Sequence, residues 1–264
     1  MNRRTRVLIT LILFAAVLIG TSIIFDFGLI KFFEDDLTDK LFRGTMSRAI
    51  ISLLAIYVIR TTYGERAFRI SNGGLRGLMW ATPCILVAFA NFPYSALISG
   101  NATITRMDVL YLYIFFTLAT GIYEELIFRG FVVLAIKSLF LRNPHKNLFT
   151  ILISSALFAV LHAFNFMYGF DPSIFLQVGY TFLLGCMLGT LYLYTKNIYL
   201  CIGIHAIFNF GGMIVTTLGT GNGWDMIFWI VTAVCGIFCA VHIVFTVIKL
   251  DRNENQNYAA WSIV

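Results

Sequence analysis

Charge is scarce in this chain: of 264 residues only 12% are Asp, Glu, Lys or Arg, about half the share of an ordinary soluble domain. With 59% hydrophobic residues and a mean hydropathy of +0.84, too little polar surface remains to enclose a water-soluble globule. Proline is rare as well, with four in all, and no Pro/Gly/Ser linker, low-complexity tract or internal repeat sets off a second domain. Cys84, Cys186, Cys201, Cys235 and Cys239 all fall inside apolar runs with no CxxC spacing, which argues against a disulfide framework or a zinc ribbon. The net charge of +6 does not point to nucleic acid, because Lys and Arg stand at the ends of apolar segments rather than on a polar face.

What the chain does have is apolar length, with aromatic residues, 26 Phe among them, spread through it. Eight segments are marked by this pattern: Val7–Phe25, Met46–Ile59, Leu78–Leu97, Met107–Ile136, Leu148–Phe166, Ile174–Tyr194, Ile198–Leu218 and Met226–Lys249. About 20 residues of helix cross a bilayer core, so the second is short for a span and the fourth long. The expected architecture is all-α, a polytopic transmembrane bundle of about eight helices forming a single membrane-embedded domain over 1–264. Arg3, Arg4 and Arg6 precede the first segment as in a signal peptide, but no small-x-small cleavage site follows, and a retained helix is expected. With the N-terminus inside, thirteen Lys/Arg fall on the inner side, and Lys31, Lys40, Arg43, Arg48 and Arg106 on the outer. The positive-inside rule then predicts a multi-pass plasma-membrane protein with both termini cytoplasmic. Phe32–Arg43 is expected to be an external acidic loop, and Asp251–Val264 a short mobile tail.

The informative residues are ionisable groups inside apolar segments, each costing at least about 2.5–3.5 kcal/mol at mid-bilayer. They are Glu124, Glu125, Arg129, His162 and His205. Helical spacing pairs Glu125 with Arg129 at i, i+4 in the favourable order and leaves Glu124, rotated away, as an unpaired acid suited to general base or acid work. Phe158 and His162 share a face of the fifth segment, as do His205 and Asn209 of the seventh. An isolated membrane Glu–Arg pair is as readily a packing ion pair, and a lone buried His is more often structural than catalytic. The conjunction is what carries weight: EExxxR, FxxxH and HxxxN, in order, on three separate predicted helices of a chain otherwise nearly free of intramembrane charge. His242, near the end of the last segment, reads as an interfacial structural residue.

At these residues the sequence resembles the CPBP intramembrane protease family, also called Abi, which includes type II CAAX prenyl endopeptidases and bacteriocin-processing or immunity proteins. The motifs Glu124-Glu125-x-x-x-Arg129, Phe158-x-x-x-His162 and His205-x-x-x-Asn209 are intact. The resemblance covers roughly 107–218, expected to be the catalytic core. It implies a helical bundle with a water-accessible polar cavity and endopeptidase activity on a membrane-associated peptide or protein. It also implies that Glu124 activates water with help from His162, and that His205 and Asn209 stabilise the oxyanion, with Glu125, Arg129 and Phe158 in support. The family has been described as metal-dependent too, and Glu124, His162 and His205 would be the ligands of a divalent ion such as zinc. The sequence leaves a metal-free glutamate mechanism and a metal-assisted one open, with the absence of an HExxH pair favouring the former. The expected partners are that substrate and the lipid bilayer, with no nucleic acid. Two other classes compete with a protease: a non-proteolytic membrane partner of the immunity-protein kind, and a proton-relaying transporter. Intact motif positions speak against the first, and the lack of matched Gly/Pro-broken halves against the second.

Overall fold

The structure, a computed structural model, describes residues 20–21, 24–25, 28–68 and 75–261. The expected first helix, with its three arginines, lies almost wholly outside them. Among the described residues from Asp36 onward the chain is helical nearly throughout, an all-α bundle, and six of the described helices are long and apolar enough to cross a membrane.

The first helix described, α1 (Asp36–Tyr63), runs 28 residues and corrects two expectations. The second apolar segment is not short, and the acidic stretch before it is not an external loop. Asp35 is an N-cap whose carboxylate accepts from the Thr38 amide at 2.8 Å, and Asp36 and Asp39 follow at the positive end of the helix dipole. Asp39 is buried and accepts from the amides of Phe32 and Phe33 and from Arg43, so the acids start a helix, with Asp35 and Asp36 exposed on its first turn and Asp39 turned inward.

The third segment is broken into α2 (Leu75–Trp80), α3 (Thr82–Ala90) and α4 (Tyr94–Ser99). Pro83 sits in the first turn of α3, where its missing N–H does no harm, while Pro93 marks the break before α4. The fourth segment is one continuous helical run in three parts: α5 (Leu110–Glu125), a π-helical stretch Leu126–Val132, and α6 (Val133–Leu139). Helices α7 (Lys146–Ala163), α8 (Ser173–Thr195) and α9 (Ile198–Leu218) follow the expected segments closely. The α8–α9 turn is tight: Lys196 takes the left-handed conformation (φ 53°), and the Asn197 side chain caps the next amides. A feature the pattern did not show is the antiparallel pairing of β1 (Ala102–Ile104) with β2 (Gly219–Gly221).

The last helix, α10 (Met226–Trp261), absorbs most of the supposed mobile tail. Asp251 explains why. Its carboxylate is buried and accepts from the Asn147 amide and side chain, each at 2.8 Å, so it caps the N-terminus of α7 from the far end of the chain. Lys146 beside it is 1% exposed and pairs with Glu254 of α10. Only 11% of α10's spanning window is buried, and its exposed face of Ile230, Val234, Ile237, Phe238 and Val241 is one that lipid accommodates and water does not.

The helices alternate in direction. Lys137, Lys146, the Lys196 turn and Glu254 therefore meet at one end, and the β1–β2 pair lies at the other. The broadest contacts are α7 with α8, α5 with α9 and α1 with α5. Helices α7 and α8 approach closely at Gly185, where an added Cβ would fall 2.9 Å from the Ser155 Cβ and 3.0 Å from its backbone Cα. The His242 ring of α10 packs at a tilt of 47° against Trp80 of α2, with centroids 4.5 Å apart.

Removing the Asp251 cap should loosen the α7–α10 junction. Hydrogen bonds to a charged group contribute about 1.5–3 kcal/mol, so Asp251→Ala should lower the thermal midpoint clearly and Asp251→Asn, which keeps one acceptor, by less. Buried free thiols at Cys84, Cys201 and Cys239 allow this to be followed by a thiol-reactive dye in detergent. An unchanged midpoint in Asp251→Ala would show that the cap does not hold the junction.

Candidate active site

The site is assembled where α5 and α9 touch. An added Cβ on Gly121 would meet the Ile202 carbonyl oxygen at 3.1 Å and the Ala206 nitrogen at 3.2 Å, so only glycine allows the backbones this near. One turn on, Glu124 and Glu125 face the neighbouring helix, and immediately after them the helix widens into the π-helical stretch that carries Arg129. Such π insertions are rare and often stand at functional sites.

Glu125 is the centre of the network. Its Oε1 accepts from Arg129 Nη1 at 2.7 Å and from His205 Nδ1 at 2.7 Å, while Arg129 also donates to the Gly185 carbonyl of α8 at 3.2 Å. The expected Glu125–Arg129 pair is thus present, and sequence spacing alone did not show that His205 joins it. Glu124 is not the unpaired acid that spacing suggested: its Oε2 lies 3.3 Å from His205 Nε2. The side chains of Glu125, Arg129 and His205 are 0%, 2% and 2% exposed, and that of Glu124 is 17% exposed. Of these four groups, Glu124 is the one with access.

Hydrogen-bond chemistry fixes the imidazole. A carboxylate shared with Arg129 only accepts, so His205 Nδ1 carries hydrogen toward Glu125, and Nε2 is the nitrogen that meets Glu124. Counting charges gives a second constraint: two carboxylates against one guanidinium leave one negative charge in an apolar bundle, which is costly.

Phe158 of α7 is buried and binds the parts together. Its ring stands edge-on to His162 (4.8 Å between centroids) and to His205 (6.0 Å), and the Arg129 guanidinium lies 5.4 Å over it. His162 therefore reaches the network through Phe158, not by direct contact. Counted along straight helices, His162 and His205 fall at different depths, and Phe158, one turn closer to the start of α7, spans that gap. His162 Nδ1 donates to the Phe158 carbonyl at 2.9 Å, which leaves its Nε2 as the lone-pair nitrogen. Asn209 sits half-buried one turn beyond His205. Its backbone carbonyl accepts from the Tyr113 hydroxyl at 3.4 Å, and its side-chain amide makes no hydrogen bond among the described residues.

Three residues were missed in the sequence. Tyr180 of α8 is within electrostatic reach of Glu124 and is linked to Gln177, which accepts from the Asn165 amide at 2.8 Å. A Gln inside the apolar sixth segment was the available signal. Tyr180 also lines a shallow apolar groove of about 700 Å³ between α7 and α8, with Ala159, Val160, Gly179 and Leu183.

A divalent metal fits this arrangement poorly. Among the described residues no three His, Cys, Asp or Glu side chains are gathered to hold an ion. Phe158 stands between His162 and His205, and His205 Nε2, its remaining ligand atom, faces a carboxylate instead of an open point shared with His162.

Comparison with known proteins adds one finding. No curated protein and no solved structure matches the chain, but residues 106–211 match the family model described as type II CAAX prenyl endopeptidase Rce1-like. That stretch contains every motif residue from Glu124 to Asn209. Over residues 106–211 the chain is therefore similar to the Rce1-like, type II CAAX prenyl endopeptidase family.

Proposed function

We propose that this protein is an intramembrane endopeptidase that hydrolyses a peptide bond of a membrane-associated peptide or protein, with water activated by Glu124. The observation that carries the reading is the Glu124–His205–Glu125–Arg129 network, in which a partly exposed carboxylate fronts a fully buried ion-pair scaffold. The family match over the same residues supports it. The catalysis is assigned to 107–218 of a single membrane-embedded domain over 1–264. The distribution of Lys and Arg supports a plasma-membrane protein with both termini cytoplasmic.

In the proposed reaction Glu124 takes a proton from water, oriented with the help of the lone-pair Nε2 of His162, and the hydroxide adds to the substrate carbonyl carbon. The oxyanion accepts from the proton on His205 Nε2 and from the Asn209 amide, donors set in place before the reaction begins. Collapse of the tetrahedral intermediate breaks the C–N bond, and the proton held by Glu124 goes to the leaving amine. No step is assigned to a metal. The apolar groove beside Tyr180 suits the approach of an apolar substrate segment from the bilayer.

Glu124→Gln keeps the shape and removes the base, so turnover should fall by about 10²–10⁴ with the protein still folded. A proteomic comparison of cells carrying wild type and this variant should reveal a membrane peptide that accumulates uncut; identical peptide profiles would favour a non-proteolytic partner. Glu125→Gln instead strands Arg129 in the apolar interior, and breaking such a pair costs about 3–5 kcal/mol, so less folded protein should be recovered. If both variants melt alike and lose activity alike, the division of roles is wrong.

Asn209→Ala should lower kcat by about 10²–10³ and leave KM nearly unchanged, the mark of a donor used in the transition state. Metal content measured alongside discriminates the mechanisms. Stoichiometric metal in the active wild type that is lost in His205→Ala would overturn the glutamate mechanism.

A further inference from the structure

Away from the motif residues, the end of the bundle formed by α6, α7, the α8–α9 turn and α10 collects three lysines around one carboxylate. Lys137 Nζ lies 2.9 Å from Glu254 Oε1, and Lys146 Nζ lies 3.2 Å from Glu254 Oε2. Both carboxylate oxygens are thereby occupied. Lys196 lies within Coulombic reach of Lys137 and Glu254, and its ammonium makes no hydrogen bond or ion pair among the described residues. Asp251, one turn before Glu254 on α10, accepts from Asn147 at the α7 N-terminus. Lys196 thus adds a further positive charge, in a partly dehydrated place, to a carboxylate already shared by two lysines. Burial, reinforced by the Lys137 charge, pushes the Lys196 ammonium down to about 8.

The position decides which anion would fill it. Lys196 joins the end of one candidate span, Ser173–Thr195, to the start of the next, Ile198–Leu218, and Lys146 begins a third. The cluster is therefore at the level where the apolar helix surface ends, which is the level of lipid headgroups. Basic pockets between spanning helices at this depth suit phosphate-bearing headgroups.

We infer that Lys137, Lys146 and Lys196 form a binding site for the phosphate of an anionic membrane lipid, with Glu254 holding two of the lysines apart so that the third is free to engage it. The bound lipid would tie α6, α7, the α8–α9 turn and α10 together at this end. This inference stands apart from the protease reading and does not depend on it.

Lys196→Asn is the discriminating variant. It removes the unpaired charge without breaking an ion pair, and Asn suits the left-handed backbone that Lys196 occupies. The full chain would be placed in phosphatidylcholine nanodiscs with increasing phosphatidylglycerol, and its thermal midpoint followed. In wild type the midpoint should rise with phosphatidylglycerol and saturate. Lys196→Asn should melt about 2–4 °C higher than wild type in pure phosphatidylcholine, since a repulsive buried charge is gone, and should lose most of the phosphatidylglycerol-dependent rise. Arg142→Gln, which removes an exposed charge at the same end, should keep that rise. Equal losses in the two variants, or an undiminished rise in Lys196→Asn, would overturn the site. A full rise with millimolar inorganic phosphate in neutral detergent would overturn the lipid as its ligand and leave a free-anion site.

Discussion

Burying net charge in an apolar bundle is the constraint from which the rest of this structure follows. Glu125 is fully buried, and an isolated carboxylate there would cost several kcal/mol after relaxation. Two donors on its Oε1, from Arg129 and His205, offset that cost, and each imposes a demand on the packing. For His205 to reach, α5 and α9 must touch, hence glycine at 121. The second arm of Arg129 must also end somewhere, and it ends on the carbonyl of Gly185, where α7 and α8 pack closely. The π-helical widening falls on the same residues. One ion pair thus sets the separations of four helices.

How far the fold could be read depended on what each signal measures. Apolar length located α7, α8 and α9 almost to the residue, because hydropathy tracks the slab that such helices must cross. It failed where polar residues are satisfied inside a helix. Asp35, Asp36 and Asp39 looked like a loop because hydropathy has no account of capping, although acids before an apolar run are also the signature of a helix start. Asp251 looked like the start of a loose tail because its partner, Asn147, is 104 residues away. Contacts at that separation leave no periodic trace.

The motif residues show the same division. The i, i+4 rule gave the Glu125–Arg129 pair, since both partners stand on one helix. It could not give His205, which arrives from another helix, and so it left Glu124 without the partner that the fold supplies. Phe158 was recognised through resemblance; its physical role, an aromatic post between His162, His205 and Arg129, needed the three helices in place.

That arrangement has a consequence for the proposed reaction. Glu125 holds the Nδ1 side of His205, so the imidazole has one nitrogen to offer, and Glu124 faces it. Glu124 and a substrate oxyanion compete for the same proton on Nε2. While Glu124 holds it, the carboxylate is partly neutralised and a weak base. As the tetrahedral oxyanion develops, the proton is drawn toward the new charge and away from Glu124, whose basicity is then free for the water. Donation to the oxyanion and activation of the nucleophile are in this way two ends of one proton's movement, with Glu125 and Arg129 as the fixed frame that keeps the ring from turning.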